Sequence, residues 1–191
     1  MKKGLLIILS GPSGVGKNCV RQEIMKSGKL DLNYSISMTT RAKREKEVDG
    51  VDYYFVSKEE FQKNIDNGNF LEWASFVGNC YGTPKDKVEQ LRNEGKHVFL
   101  EIEINGAKQV MSKVRDSRVI SFFLMPPSLS ALEKRIRKRQ TETEEVIQER
   151  LQKGIKEMTM TDNYDHIIIN DKVSRAAQEI IDLIKAKMKA R

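Results

Sequence analysis

This chain of 191 residues has little of what stabilises small secreted proteins or anchors a protein in a membrane. Its two cysteines, Cys19 and Cys80, have no His or Cys neighbour at metal-ligand spacing. Isolated cysteines predict a reduced, cytoplasmic compartment. The first apolar run, residues 5–9, is far too short for a membrane span or for the core of a signal peptide. The sequence therefore argues against disulfide-rich, secreted and membrane proteins, and no membrane partner is expected.

The charge balance narrows the possible partners. Hydrophobic residues make up 39% of the chain and charged residues 32%, which is typical of a folded domain. A net charge of +7 favours polyanionic partners such as nucleic acids or nucleotides. The densest basic cluster, residues 134–139, is not interleaved with aromatic rings as base-stacking surfaces are. No nucleic-acid partner is expected, and the oligomeric state, monomer or homodimer, stays open.

Hydrophobic patterning predicts an α/β domain. Four continuous apolar runs, which predict strands buried on both faces of a sheet, lie at residues 5–9, 98–102, 119–125 and 167–169. Helical stripes between and after the later runs consist of Ala107, Val110, Met111 and Val114, of Leu129, Leu132 and Ile136, and of Ala177, Ile180, Ile181, Ile184 and Met188. Strands that alternate with helices predict a parallel sheet covered on both faces.

Residues 35–85 interrupt this alternation. Strands are predicted at residues 35–39 and 53–56, and Phe61 and Ile65 indicate a short helix. We interpret the segment as a small, partly β lobe inserted into the sheet domain. A second insertion is predicted around residues 139–145, where charged residues interrupt a helical pattern.

The strongest local motif is the glycine loop, residues 11–17. It consists of Gly11, Pro12, Ser13, Gly14, Val15, Gly16 and Lys17. An apolar strand precedes it, and Val20, Ile24 and Met25 begin a helical period after it, as a phosphate-binding loop requires. Its backbone N–H groups would surround a phosphate, and Lys17 would reach the terminal phosphates. A purely structural glycine turn is the alternative.

The residue after the lysine departs from the usual motif. A Ser or Thr hydroxyl normally helps to hold Mg²⁺ there, whereas this chain has Asn18 followed by Cys19. An amide oxygen is an acceptable ligand for this hard cation and a thiol is a poor one. The loop is therefore expected to bind phosphates, with Asn18 as its possible metal contact.

With the segment Ser37-Met38-Thr39-Thr40-Arg41 after the loop, the chain resembles a guanylate kinase, most closely the bacterial form. The matching segments continue in the family's order at residues 49–55, 70–73, 78–83, 100–103, 126–128, 141–144 and 169–171, and cover nearly the whole chain. The resemblance implies a single domain with a P-loop-type parallel sheet (core residues 1–34, 86–133 and 155–191). It also implies a GMP-binding lobe at residues 35–85, a lid at residues 134–154, and Mg²⁺-dependent phosphorylation of GMP by ATP, with dGMP as a second acceptor.

The same resemblance assigns roles to individual residues. Guanine would be recognised by the Glu72 carboxylate and by hydroxyls of Ser37 and Thr83. Beyond these three, the acceptor phosphate would be held by Arg41, Arg44, Tyr53 and Tyr81. Glu101 and Glu103 would serve the Mg²⁺ waters and the GMP ribose or base, in a division left open. The lid would supply Arg135, Arg139 and Arg150, and the adenine side Asn170 and Asp171.

The residues themselves leave other interpretations open. Glu72 alone suits a solvated surface acid, residues 41–46 suit a solvated loop, and Glu101 and Glu103 stand where the family usually has Asp. Gln140 replaces the family's common Gly, which affects the expected lid motion. The alternative functions are a guanylate-kinase-like module that binds proteins without catalysis, and a related kinase with another small phosphorylated acceptor.

Overall fold

A computed structural model of the chain describes residues 2–76, 78–138 and 143–190. Within them, the strands in chain order are β1 (Leu6–Ser10), β2 (Leu32–Tyr34), β3 (Met38–Thr39), β4 (Tyr54–Phe55), β5 (Phe70–Phe76), β6 (Asn79–Pro84), β7 (His97–Glu101), β8 (Val119–Met125) and β9 (His166–Ile169). The helices are α1 (Lys17–Lys26), α2 (Lys58–Asp66), α3 (Lys85–Asn93), α4 (Ile104–Lys113), α5 (Leu129–Arg137), α6 (Glu144–Met158) and α7 (Val173–Lys189).

The central sheet has the order β2-β7-β1-β8-β9, and every pair in it is parallel. All five residues of β1 are buried, and successive side chains enter different cores. Leu5, Ile7 and Leu9 pack with α1 and α7, whereas Leu6 and Ile8 pack with residues of α3 and α4. This double burial explains why β1 is a continuous apolar run. The predicted α/β fold class and the positions of the four predicted strands are confirmed. Burial on both faces is confirmed for β1, β7 and β8 but is wrong for β9, which lies at the sheet edge and leaves Ile167 and Ile169 exposed.

The sequence did not indicate β2, the fifth strand of this sheet. Its three residues are only half-buried, because β2 lies at the sheet edge beside β7. The predicted strand at residues 35–39 is confirmed only for Met38 and Thr39. The Ser35 N–H still donates to the Phe99 carbonyl of β7 (3.0 Å), and the Ser37 carbonyl accepts from Tyr54 (2.9 Å). Residues 35–37 therefore carry the chain from one sheet to the other.

The inserted lobe contains a second sheet with the order β4-β3-β6-β5. Its longest part is the antiparallel hairpin of β5 and β6, and Phe61 of α2 stacks on Phe70 of β5 with ring centroids 4.6 Å apart. The lobe is tied to the core through α4, where Lys113 Nζ donates to the Leu71 carbonyl (2.8 Å). The predicted helix around Phe61 and Ile65 is confirmed as α2.

Two helices, α5 and α6, pack against each other through Leu132, Ile136, Ile147 and Leu151. Leu129 was predicted to share this apolar face, and that prediction is wrong. Leu129 is 47% exposed and does not belong to the buried cluster between α5 and α6. No helix in the described part of the chain combines the length and apolar character needed to cross a membrane.

Candidate functional site

The glycine loop joins the carboxyl end of β1 to the start of α1, the position where ligands collect in α/β sheets. Gly16 caps α1 with φ of 97°, a left-handed conformation that glycine adopts without strain. A Cβ atom on Gly11 would lie 2.4 Å from the Leu124 carbonyl oxygen, so no side chain fits there either. The predicted order of strand, glycine turn and helix is confirmed.

Lys17 folds back over the glycine loop. Its Nζ donates to the carbonyl oxygens of Gly11 (2.7 Å) and Pro12 (3.1 Å). Burial lowers the pKa of Lys17, while the nearby carboxylates of Glu101, Glu103 and Glu157 oppose that change. Backbone carbonyls therefore hold the ammonium group at the loop, and acidic side chains lie near it. A phosphate bound in the loop would lie close to this positive charge.

Two side chains from distant segments brace the peptide between Val15 and Gly16. The Val15 carbonyl accepts from Asn170 Nδ2 (2.8 Å) and from Arg135 Nη1 (3.0 Å). The second guanidinium nitrogen of Arg135 donates to the Asn170 carbonyl (2.6 Å). Because the C=O and N–H of a trans peptide point in opposite directions, this brace directs the Gly16 N–H away from Asn170.

Helix α6 contacts the same loop at Ser13. Glu157 Oε2 accepts from the Ser13 N–H (3.0 Å), and Arg150 Nη2 donates to Ser13 Oγ (3.1 Å). Lys153 lies on the same helix, 3.6 Å from the other Glu157 carboxylate oxygen. The Ser13 N–H is therefore already hydrogen-bonded to a carboxylate, that of Glu157. Sequence reasoning missed Glu157, because its pairing with Ser13 spans most of the chain and leaves no local pattern.

A cavity of about 310 Å³ opens where the lobe meets the carboxyl edge of the central sheet, and we call it the lobe cavity. It is lined by Tyr34, Ser37, Tyr53, Glu72, Ala74, Tyr81, Glu101, Ile102 and Glu103. The structure thus brings together predicted residues from five separate parts of the chain. Tyr34, Ala74 and Ile102 were not predicted, since nothing in the sequence distinguishes them from ordinary core residues.

Glu72 is the most unusual group in the lobe cavity, because this acidic residue is only 6% exposed. Thr83 Oγ1 donates to Glu72 Oε1 (2.5 Å), and a Cβ on Gly106 would lie 2.5 Å from Oε2. Burial raises the pKa of Glu72, although the Thr83 bond opposes this change. The carboxylate has about four acceptor positions, so Thr83 leaves capacity for ligand donors. The solvated interpretation of Glu72 is wrong.

The predicted phosphate clamp is partly assembled. The Arg41 guanidinium lies 5.5 Å from the centre of the Tyr53 ring, and the Tyr53 and Tyr81 rings are 6.1 Å apart. Glu47 holds this group together: it accepts from Arg41 Nη2 (2.6 Å) and from the Arg44 N–H (2.8 Å). The Arg44 side chain itself is exposed. Glu47 was not predicted.

The remaining predicted residues occupy several places. Glu101 accepts from Arg21 Nε (2.7 Å), whereas Glu103 is exposed and lies 3.9 Å from Lys153 of α6. Asn170 is buried behind the glycine loop, but Asp171 is exposed and pairs with Arg175 (2.6 Å). Arg139 and Gln140 lie outside the described residues.

Comparison with known proteins identifies the family. The guanylate kinase family matches residues 3–187 of the chain. The chain belongs to the guanylate kinase family. It is 53% identical to a guanylate kinase of Enterococcus faecalis over 186 residues, which are 97% of this chain and 90% of that relative. It is also 52% identical to one of Mesoplasma florum over 182 residues, 95% of this chain, but it spans only 61% of that relative's length.

A solved structure of the same family has a similar fold. The crystal structure of guanylate kinase from Anaplasma phagocytophilum matches with a TM-score of 0.78 and 32% sequence identity, over 99% of this chain and 88% of that one. These matches confirm the resemblance and the α/β fold class. Within this guanylate kinase fold, the glycine loop and the lobe cavity lie at the same edge of the central sheet, the loop after β1 and Glu101 at the end of β7.

Proposed function

We propose that this chain transfers the γ-phosphoryl group of ATP to GMP, with dGMP as a second acceptor, and releases ADP and GDP. The observation that carries the proposal is the buried Glu72 carboxylate in a cavity beside the glycine loop. The glycine loop would offer backbone N–H donors to a polyphosphate. The lobe cavity would offer the Glu72 carboxylate to a nucleobase that has two adjacent hydrogen-bond donors. This pair of sites suits a kinase that works on a purine monophosphate in the cytoplasm, in purine nucleotide metabolism.

Guanine presents N1–H and its exocyclic amine on one edge, and the Glu72 carboxylate would accept from both. Such charge-assisted pairs are stronger than neutral hydrogen bonds. Ser37 lines the same cavity and would donate to guanine O6. Thr83 is 1% exposed and donates to Glu72, so its first contribution is to orient that carboxylate. Adenine offers the wrong pattern on the same edge, and buried polar groups left unpaired would reject it.

The acceptor phosphate would lie between the lobe and the glycine loop. Arg41 and Arg44, with the hydroxyls of Tyr53 and Tyr81, would hold it, because guanidinium groups bind phosphate with two parallel donors. In the structure, Arg41 Nη2 forms an ion pair with Glu47 Oε1 at 2.6 Å. A bound phosphate would share or displace that carboxylate, and Arg44, whose side chain is exposed, would turn inward to join it.

On the donor side, the glycine loop would bind the phosphates of ATP through its backbone N–H groups and Lys17. Arg150 and Arg139 would add positive charge from the lid, and Asn170 and Asp171 would lie on the adenine side. Arg135 would act through the loop backbone, which it contacts at Val15 (3.0 Å). Phosphoryl transfer depends mainly on alignment and on neutralising charge, which these groups provide without covalent participation.

Mg²⁺ would accompany ATP. Proteins usually bind this ion through one or two oxygen ligands, together with substrate phosphates and water. Asn18 Oδ1 and the Glu101 carboxylate are such oxygens, and both contact the same Arg21 guanidinium, so they lie near one another beside Lys17. The donor set therefore fits Mg²⁺, with Asn18 and Glu101 as its protein ligands, directly or through water. When bound, the ion would neutralise phosphate charge.

The lobe and lid would close over both nucleotides, because water in an open site would hydrolyse ATP. The lid assigned to residues 134–154 begins within α5 and ends within α6. Contacts of Arg150 and Glu157 with Ser13 link α6 to the loop that would hold ATP. These contacts support a lid whose position responds to the donor nucleotide.

A coupled assay for ADP release tests the proposal. With ATP and Mg²⁺, we expect rapid ADP formation with GMP and little with AMP, dTMP or UMP. No turnover that depends on GMP would support the non-catalytic module instead. Faster turnover with another monophosphate would identify a related kinase. Either result would overturn the proposal.

A further inference from the structure

Arg21 is a charged residue of α1 to which neither the glycine loop motif nor the family resemblance assigns a role. Its Nε donates to Glu101 Oε2 (2.7 Å), and its Nη2 donates to Asn18 Oδ1 (2.5 Å). The guanidinium carbon also lies 4.3 Å from the centre of the Tyr34 ring. Arg21 therefore contacts the residue that follows Lys17 and two residues that line the lobe cavity.

These contacts fix the guanidinium in one place. The Arg21 and Glu101 side chains are only 20% and 16% exposed, so solvent screens their interaction weakly. Two donors on one rigid, planar group hold two acceptors at a set separation, and a lysine ammonium cannot reproduce that geometry. Burial raises the pKa of Tyr34 to about 12, so its ring stays neutral and offers a π face to the cation.

The position of Arg21 is important because the Glu101 carboxylate beside it is negatively charged and lies near both proposed nucleotide sites. That carboxylate is close enough to Lys17 to raise the pKa of that ammonium group, and it lines the cavity proposed for GMP. Without a counter-charge from Arg21 or from Mg²⁺, a carboxylate there would repel both the acceptor phosphate and the donor phosphates. Arg21 supplies a permanent positive charge next to Glu101.

We propose that Arg21 is a positioning residue for phosphoryl transfer: it neutralises Glu101 and holds Glu101 and Asn18 in place between the two nucleotide sites. The inference rests on the proposed function, since it concerns how GMP and ATP bind near Glu101. It adds a residue outside the glycine loop and the lobe to the groups that align the two substrates.

A double-mutant cycle with Arg21→Met and Glu101→Gln tests the inference, with GMP and ADP affinities measured by calorimetry. We expect Arg21→Met to weaken GMP binding by about tenfold when Glu101 is present, because a charge-assisted pair is lost. In the Glu101→Gln background, the same change should alter GMP affinity by less than about twofold, since no carboxylate remains to be neutralised. An equal effect in both backgrounds, or no effect, would overturn the proposal.

Two further variants separate positioning from folding. Arg21→Lys keeps the charge without the planar pair of donors, and it should recover part of the GMP affinity. Lys26→Met removes an exposed charge from the last turn of the same helix and should bind GMP as the unaltered chain does. If the unaltered chain phosphorylates GMP while Arg21→Met binds GMP equally well, this inference alone fails. If the unaltered chain does not use GMP, the proposed function fails first.

Discussion

The glycine loop is made of consecutive residues, whereas the wall of the lobe cavity is made of side chains from distant segments. In the loop, backbone groups and Lys17 carry the chemistry, and the strand and helix on either side set its shape. The lobe cavity is lined by Glu72 of β5 and Glu101 of β7, and Ser37 and Tyr53 come from the connections around β3 and β4. Backbone donors bind any phosphate, so base selection depends on the second region.

This difference separates what each site requires to form. The shape of the loop is set mainly by local sequence, and a few side chains contact it from outside: Asn170 and Arg135 at Val15, and Glu157 and Arg150 at Ser13. The cavity needs the whole lobe to fold, because Glu72 depends on Thr83 across the hairpin and on the absence of a side chain at Gly106. We therefore expect changes in one region to affect one nucleotide and to leave the binding of the other largely intact.

We expect Lys17→Met to show the largest difference between its effect on catalysis and its effect on GMP binding. Loss of the ammonium group at the loop should reduce kcat by about 10³-fold, since a preorganised charge beside the transferred phosphate is removed. GMP affinity, measured by calorimetry, should stay within about twofold, because changes at separate sites act independently. A large loss of GMP affinity would show that the two regions are not independent.

A smaller effect is expected for Arg135→Met, which removes the brace on Val15 and the bond to the Asn170 carbonyl. ADP affinity should fall by about tenfold, because two hydrogen bonds from a charged donor no longer hold the loop peptide. Lys134→Met, on an exposed position of the same helix, is the control and should change ADP affinity by less than about twofold. Equal effects of the two variants would contradict the brace.

The smallest expected effect is on the stability of the fold, which the buried Glu72 carboxylate in the lobe cavity lowers. Because burial raises the pKa of Glu72, the folded state favours its protonated form, and stability from this group is lost as pH rises above the unfolded value. Glu72→Gln keeps an acceptor for Thr83 without the charge. Thermal unfolding at neutral pH should give a Tm about 2–4 °C higher than that of the unaltered chain.

The pH dependence supplies the check on this stability prediction. The Tm difference between Glu72→Gln and the unaltered chain should shrink as pH falls below about 4, where the carboxyl is mostly protonated in both states. A difference that stays constant with pH would mean that the buried charge of Glu72 is not its cause.

The comparison also explains which elements the sequence predicted. Strands β1, β7 and β8 were predicted because burial on both faces produces continuous apolar runs. Strand β9 was predicted from its apolar run as well, although only Ile168 of that run is buried. Strand β2 and the hairpin of β5 and β6 were missed, since half-buried or mixed residues such as Tyr34 and Glu72 carry no clear period. The helix α3, with a strongly polar sequence, was missed for the same reason.

The residues of the candidate site also differ in how far the sequence alone could predict them. The glycine loop could be predicted from its own spacing, but the residues of the lobe cavity came only from the family resemblance. Arg21, Glu47 and Glu157 were missed, because each acts on another site residue and their partners are set by the fold. For Asp171, which was predicted on the adenine side, the structure shows an exposed pair with Arg175 at the start of α7.

The ratio of kcat/KM for GMP to that for AMP in Glu72→Ala tests the central claim most directly. Exposed Glu60→Ala, in the same lobe, is the control, and ADP affinity serves as the measure of an intact glycine loop. The account predicts that the ratio falls by about 10²-fold or more in Glu72→Ala while ADP affinity is kept. An unchanged preference for GMP over AMP would contradict it.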